Sequence, residues 1–139
     1  MTSVAGIGVG AEGGSRTFGP LTRSMFVRYA GASGDFNPIH YDEEFAQKAG
    51  YPSVFSQGMH QAALLATYAT DWLGPENVRR FQVRFREQVW PGDVLVCRGV
   101  VTGVAERENG ELLATVELTC SHQDGGVAVS GSADFVVAP

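Results

Sequence analysis

Residues 57–73 form a segment in which nearly every side chain is apolar or small, and this segment constrains the fold more than any other. Its exceptions are His60, Gln61, Asp71 and the threonines. A surface helix carries a polar stripe, whereas a helix that is apolar on all sides is buried. About 16 residues at about 1.5 Å each make a rod roughly 24 Å long, enough to cross a small domain. Gly74-Pro75 predicts its end.

The chain after this helix alternates apolar and polar residues with a period of two, which is typical of antiparallel strands with one buried face. Turn signals separate four predicted strands and occur at Pro91-Gly92-Asp93, Asn109-Gly110 and Gly125-Gly126. A further strand is expected near residues 16–20. One buried helix followed by such a meander predicts an α+β fold, in which a curved antiparallel sheet wraps around the central helix.

The N-terminal residues 1–15 contain five glycines and no apolar periodicity. They are predicted to be a flexible tail, and residues 16–139 to be the single folded domain. Gly8 to Gly13 formally match a dinucleotide-binding fingerprint, but no strand is predicted before them and no helix directly after them. Two short helices are expected before the central one. Thr22 is predicted to cap the first, and the second spans residues 42–49.

The composition excludes several classes of function. At 139 residues the chain has the size of one domain. Its net charge of −5 argues against a nucleic-acid partner, since contacts with phosphates require a basic surface. The first residues include neither a basic segment nor a long apolar run. This predicts no signal peptide, no membrane anchor and a cytoplasmic location.

The two cysteines, Cys97 and Cys120, both fall in predicted strands. If Asn109-Gly110 forms the hairpin turn, the register places Cys97 opposite His122 and Cys120 opposite Gly99. The thiols are then not expected to face each other, and free buried cysteines are the expectation. The histidines and cysteines of the chain show no short paired spacing, so no metal site is predicted.

The stretch Gly34-Asp35-Phe36-Asn37-Pro38-Ile39-His40-Tyr41-Asp42 sets a carboxylate and an imidazole five residues apart across an Asn-Pro joint. Proline fixes its own φ and disfavours helical backbone at Asn37, so the chain is expected to turn between Asp35 and His40. The two side chains can then point into one cavity. Such a pair suits the proton transfers of water addition or elimination, and both residues are predicted to be catalytic.

Gly58 is the third candidate for a catalytic role. Ser56 is expected to cap the central helix, with Gln57 and Gly58 at its first two positions, where backbone N–H groups have no partner inside the helix. The helix dipole adds positive potential there, and the missing Cβ lets a carbonyl group approach the backbone. The Gly58 N–H is therefore predicted to stabilise negative charge on a carbonyl oxygen.

The Asp35 to Asp42 motif, together with Gln57-Gly58-Met59 and Trp90-Pro91-Gly92-Asp93, resembles the MaoC-like (R)-specific enoyl-thioester hydratases and 3-hydroxyacyl-thioester dehydratases. The resemblance covers roughly residues 17–137. It implies a hot-dog fold and reversible hydration of a trans-2-enoyl thioester, with Asp35 and His40 holding one water and the Gly58 N–H polarising the thioester carbonyl. It implies no cofactor beyond the coenzyme A or acyl-carrier protein that carries the substrate. A homodimer is expected, or a heterodimer with a related hot-dog subunit.

Five further residues are assigned to substrate binding: Asn37, Gln57, Met59, Arg84 and Arg86. Asn37 matches an asparagine of the family, and it either orients the acid/base pair or only shapes the turn before proline. Gln57 stands where many members have histidine. The two arginines belong to a basic cluster with Arg79 and Arg80. This cluster is either a solvated strand face or a site for the phosphates of coenzyme A or for an acidic carrier protein.

Two other functions fit parts of the sequence. A hot-dog thioesterase would hydrolyse the same thioester with a carboxylate-activated water, but the central helix offers only Asp71, at its far end. Alternatively, the chain is one subunit of a heteromeric acyl dehydratase, and the presence of both Asp35 and His40 would make it the active member. His60 is interpreted as a core or interface residue.

Overall fold

The computed structural model describes residues 6–139 and contains one sheet and three α-helices. The strands are β1 Glu12–Phe18, β2 Val78–Phe85, β3 Leu95–Glu106, β4 Leu112–His122 and β5 Val127–Val137. The helices are α1 Arg23–Ser33, α2 Glu43–Lys48 and α3 Gly58–Leu73, with short 3-10 turns at Pro38–His40 and Pro75–Asn77. The strand order is β1-β3-β4-β5-β2, and every neighbouring pair is antiparallel. The predicted α+β architecture is confirmed.

Helix α3 lies against the sheet and contacts all five strands. Its buried side chains include Leu65, Ala69 and Leu73, and they pack on buried residues of the sheet such as Leu118 and Phe135. The apolar sequence of this helix therefore forms the centre of the core, as its pattern predicts. No helix within residues 6–139 is long and apolar enough to cross a membrane.

Local signals predicted the helix boundaries well. The Thr22 side chain accepts a hydrogen bond from the Met25 backbone N–H at the start of α1, and Asp42 caps α2 in the same way. Helix α1 continues through Gly31 and ends at Ser33, with Gly34 following at a φ of 80°. At the far end of α3, Gly74 stops the helix at the predicted position.

The first strand begins four residues earlier than the sequence suggested. Residues 12–15 belong to β1, and the preceding segment also pairs with β3, since the Gly10 N–H donates to the Val101 carbonyl at 2.8 Å. Ile7 and Ala11 pack against the core. The prediction of a flexible tail is therefore wrong for residues 12–15, while residues 1–5 lie outside the described part of the chain.

The packing of β1 on α3 explains the missing apolar pattern in β1. The Tyr68 hydroxyl donates a hydrogen bond of 2.7 Å to the Gly14 carbonyl, so the helix side chains reach the strand backbone. A Cβ on Gly13 would lie 2.4 Å from the Tyr68 hydroxyl and 2.6 Å from the Trp72 ring. Glycine is needed at position 13 because the Tyr68 and Trp72 side chains occupy the space where a Cβ would stand. These side chains of α3 cover the strand, so β1 needs no alternating apolar pattern of its own.

The register between β3 and β4 differs from the prediction. Cys97 lies directly opposite Cys120, two positions away from its predicted partner His122. One position comes from the hairpin turn, where Arg107 pairs with Glu111, and the other comes from a register shift between Val101 and Gly103. Both cysteines are free and fully buried. The hydrogen bond with Cys120 raises the pKa of the Cys97 thiol, and burial acts in the same direction, so Cys97 stays protonated.

The contact between β1 and α3 predicts opposite effects for two glycine substitutions. Gly13→Ala should lower the free energy of unfolding by about 1–3 kcal/mol, because the added methyl overlaps the Tyr68 and Trp72 side chains. Gly31→Ala should raise it by about 0.5–1 kcal/mol, because Gly31 lies within α1 and no atom stands near its missing Cβ. Urea denaturation of both variants measures the difference, and equal effects would contradict the proposed packing.

Candidate active site

The segment between α1 and α2 presents the predicted acid/base pair. Gly34 ends α1 in the left-handed region, and Asn37 begins the 3-10 turn Pro38–His40, its side-chain oxygen accepting from the Ile39 N–H at 3.1 Å. His40 is buried, with 8% of its surface exposed. Asp35 remains about half exposed. The proline joint thus brings the two side chains together, as the motif predicts.

One hydrogen bond sets the protonation pattern of the imidazole. His40 Nδ1 lies 2.7 Å from the carbonyl oxygen of Phe55. A carbonyl can only accept, so Nδ1 carries the hydrogen and donates it, and in the neutral ring Nε2 is left as an acceptor. Nε2 lies 3.6 Å from Asp35 Oδ2, too far for a direct hydrogen bond. The pair therefore presents two acceptors that are close enough to bind the same water molecule.

Asn37 serves the turn and does not reach into the site. Its side chain is engaged with Ile39, and its backbone N–H donates to Asp35 Oδ1 at 3.4 Å. Of the two alternatives for Asn37, the structure supports the turn-forming role. Asn37 shapes the segment that carries Asp35, and its assignment to substrate binding is not supported by these contacts.

The start of α3 differs from the prediction by one residue. Gln57 is the N-cap residue, so Gly58 is the first residue of the helix, and Ser56 makes no capping hydrogen bond. Within residues 6–139 the Gly58 N–H has no hydrogen-bond partner, as expected for a first-turn amide. The Phe85 ring lies opposite, and a Cβ on residue 58 would stand 2.9 Å from it. A backbone N–H without a partner is therefore present at the position predicted for the oxyanion donor, in a narrow space.

A cavity of about 260 Å³ adjoins Gly58. It is lined by Phe55, Ser56, Gly58, Gln61, Phe85, Arg86, Glu87 and Gln88. Asp35 and His40 are not among the lining residues. The link between them and the cavity is Phe55, whose carbonyl binds His40 and whose ring meets the imidazole edge-on at 5.4 Å. The acid/base pair and the cavity thus lie next to the same residue.

Two of the residues assigned to substrate binding lie elsewhere. Gln57 is 1% exposed, and its Nε2 donates to the Phe26 carbonyl at 2.9 Å, so its side chain ties α3 to α1 in the core. Met59 is 57% exposed and does not line the cavity. The motif places the backbone of Gly58 correctly, but the side chains on either side of it point away from the cavity.

The basic cluster divides into two parts. Arg79 pairs with Glu111 at 2.9 Å and Arg80 with Asp134 at 2.8 Å. The Arg80 hydrogen bond lowers the pKa of Asp134. Arg84 and Arg86 form no ion pair with a described residue, and Arg86 lines the cavity while donating to Ser130 at 3.2 Å. Arg84 lies with Arg86 along a groove on the sheet.

Sequence reasoning missed a polar pair at the cavity wall. Ser56 Oγ lies 2.8 Å from His60 Nδ1, and the His60 ring stacks on Tyr29 at 5.1 Å. Burial lowers the pKa of His60, which favours the neutral ring. The spacing of four residues between Ser56 and His60 is the signal available in the sequence, whereas Ser56 is predicted from the sequence to cap the helix and His60 to lie in the core or at an interface. Residues 6–139 contain no cluster of acidic, histidine or cysteine side chains that would hold a metal ion.

Comparison with known proteins places these features in a family. The family model described as MaoC like domain matches residues 9–122. The fatty acid synthase subunit beta of Saccharomyces cerevisiae is 28% identical over 117 residues, which are 82% of this chain and 6% of that protein. The chain thus spans only a small part of the curated relatives it matches.

Solved structures match over nearly the whole chain. The (R)-hydratase from A. caviae involved in PHA biosynthesis has a TM-score of 0.82 and 25% identity, covering 97% of this chain and 100% of that chain. A chain of the ChsH1-ChsH2 complex from Mycobacterium tuberculosis has a TM-score of 0.80 and 24% identity, covering 94% and 98%. The fold is therefore the hot-dog fold of these proteins. Because the family model matches well over half of this chain, the chain belongs to the MaoC-like domain family.

Proposed function

We propose that this protein catalyses the reversible hydration of a trans-2-enoyl thioester to an (R)-3-hydroxyacyl thioester. The observation that carries the proposal is the hydrogen bond from His40 Nδ1 to the Phe55 carbonyl, which leaves Nε2 as an acceptor facing Asp35. Similarity to the (R)-hydratase from A. caviae supports the same reaction class.

The proposed reaction starts from a water that donates hydrogen bonds to His40 Nε2 and to the Asp35 carboxylate. As the water oxygen bonds to C3, its proton passes to Nε2 and the electron pair of the C2–C3 double bond moves toward the thioester oxygen. The Gly58 N–H stabilises that oxygen, and one such donor contributes about 3 kcal/mol to lowering the barrier. The imidazolium then returns the proton to C2, while Asp35 stabilises its positive charge.

A thioesterase reaction finds less support in the same residues. It requires a carboxylate that activates water beside the thioester carbonyl. The one acidic residue of α3 is Asp71, which lies near the opposite end from Gly58 and forms an ion pair with Arg16. Asp71 is thus held by a partner at the wrong end of the helix.

The carrier of the acyl group is proposed to lie along Arg84 and Arg86. These side chains have no acidic partner among the described residues, and Arg86 reaches the cavity that adjoins Gly58. Guanidinium groups bind phosphate oxygens well, so coenzyme A or the phosphopantetheine of a carrier protein fits this position.

A second hot-dog subunit is proposed to complete the molecule. β2 is an edge strand of the sheet, and its outer side has no strand partner within residues 6–139. An unpaired edge eight residues long favours pairing with another chain.

Light scattering of the purified protein should give the mass of two chains. A monomeric mass at micromolar concentration would contradict self-association and favour an unlike partner.

Removing either member of the acid/base pair should abolish most of the activity. Asp35→Asn and His40→Gln should each lower kcat for hydration of an accepted enoyl thioester by about 10²- to 10⁴-fold, because proton transfer is lost. The loss of enoyl absorbance measures hydration, and a thiol reagent measures thioester cleavage in the same samples. Asp42→Asn is the matched control, since asparagine preserves the cap of α2.

The outcome separates the candidate functions. Hydration without release of thiol supports the hydratase, and release of thiol supports the thioesterase. If Asp35→Asn and His40→Gln both hydrate the substrate at the wild-type rate, as the control Asp42→Asn is expected to do, the assignment of Asp35 and His40 is wrong.

The two unpaired arginines predict a dependence on the carrier. Arg84→Gln and Arg86→Gln should raise KM for an enoyl-CoA about threefold to tenfold and leave KM for the uncharged N-acetylcysteamine thioester unchanged, because only coenzyme A carries phosphates. Arg79→Gln is the control, as Arg79 is already engaged by Glu111. Steady-state kinetics at low and high salt check this. Equal changes for both substrates would contradict a phosphate contact.

A further inference from the structure

Gln61 carries a side-chain amide that the mechanism does not use. The residue is 2% exposed and lines the cavity next to Gly58. Its Oε1 is completely buried and has no hydrogen-bond partner, and its amide makes no hydrogen bond to any described residue. Gln57 Oε1 is likewise buried without a partner, but the Gln57 amide is anchored through its Nε2, which donates to the Phe26 carbonyl, and Gln57 does not line the cavity.

A buried amide without a partner destabilises a folded protein, whereas leucine or methionine of similar size would pack at the same place without that penalty. The other cavity walls are also rich in hydrogen-bonding groups, since Ser56, Glu87 and Gln88 line them beside the aromatic rings. A tunnel for a plain hydrocarbon chain would instead be lined by apolar side chains. The cavity therefore favours a ligand that carries a polar group.

The position of Gln61 on α3 indicates which part of the ligand it meets. Gln61 follows Gly58 by three residues, so the two share a helix face and stand about 4.5 Å apart along the axis. A thioester oxygen at the Gly58 N–H places atoms a few bonds from the carbonyl against Gln61. An amide side chain both donates and accepts, and its natural partners are neutral groups that do the same.

We propose that Gln61 is a specificity residue that binds a neutral donor and acceptor group of the acyl thioester. This inference rests on the proposed function. Two parts of such a substrate provide the required chemistry at the right distance. One is a hydroxyl on the acyl chain near C5, and the other is the first amide of the pantetheine arm, five bonds from the thioester oxygen.

Four substrates distinguish these sources. For the acyl chain, trans-2-hexenoyl-CoA is compared with its 5-hydroxy derivative. For the carrier arm, the N-acetylcysteamine thioester of the same acid is compared with the analogue in which an ester oxygen replaces the amide N–H. Loss of one hydrogen bond corresponds to about a tenfold change in kcat/KM.

The variant Gln61→Leu should remove one of these two preferences. If Gln61 binds the acyl chain, the wild type prefers the hydroxylated substrate about tenfold and the variant does not. If it binds the pantetheine amide, the wild type prefers the amide over the ester and the variant loses that preference for every acyl chain. Equal kcat/KM ratios in wild type and variant for both pairs would overturn the proposal.

Controls separate a binding role from a structural one. Gln61→Leu should also raise Tm, because it removes a buried amide oxygen that has no partner. Gln57→Leu removes a similar oxygen but also takes the donor from the Phe26 carbonyl, so its Tm should lie below that of Gln61→Leu, and both substrate ratios should stay unchanged. Gln61→Met is the second variant if the leucine variant does not fold.

Failure of the proposed function is detected independently. If the wild type hydrates none of the four substrates, the hydratase assignment fails. The saturated counterparts of the same four thioesters then serve as ligands, and calorimetry measures their Kd. A loss of preference in Gln61→Leu supports the role of Gln61 even then, and unchanged Kd ratios overturn it.

Discussion

The hydrogen bond from His40 to the Phe55 carbonyl is the interaction on which the site depends. It fixes the tautomer of the imidazole, so that Nε2 is free to accept a proton. It also joins two parts of the chain to which different roles are assigned in the proposed mechanism. Phe55 lies three residues before Gly58, so the contact holds the segment of Asp35 and His40 against the segment that leads to the proposed oxyanion donor. A shift of either segment would therefore change the position of the His40 ring relative to the Gly58 N–H.

The segment that receives this contact is itself held from other sides. The Ser56 N–H donates to the Val89 carbonyl at 2.8 Å, and the Gln57 side chain donates to the Phe26 carbonyl at 2.9 Å. The residues leading into α3 are thus bound to the acid/base segment, to the loop after β2 and to α1. This explains why Ser56 and Gln57 are buried although both are polar. The role proposed for the Gly58 amide requires such fixed surroundings, since the contribution of an oxyanion donor depends on its pre-organisation.

The sequence predicted what is determined locally and failed where a distant contact decides. The cap at Thr22, the end of α3 at Gly74 and the turn before Pro38 follow from helix-end signals and from proline geometry, which neighbouring residues set. The start of β1 depends on Tyr68 and Trp72 filling the space above Gly13, and no pattern within β1 records that. The predicted register of the cysteines is wrong by two positions, because Arg107 pairs with Glu111 at the turn and a further shift between Val101 and Gly103 moves every pair beyond it. In the candidate site, motifs single out Asp35 and His40, whose side chains the structure brings to 3.6 Å from each other. The directions of the Gln57 and Met59 side chains depend instead on how α3 is rotated about its axis.

The charge distribution bears on the proposed position of the acyl carrier. The chain has a net charge of −5, so its average field repels a phosphorylated carrier. Two arginines of the basic cluster are already paired, with Glu111 and Asp134. The positive charge of the cluster that has no acidic partner among the described residues is therefore concentrated at Arg84 and Arg86, at and just beyond the end of β2 that meets the cavity. Because the net charge of the chain is negative, attraction at this position would favour the proposed orientation of the carrier, with its thioester toward Gly58.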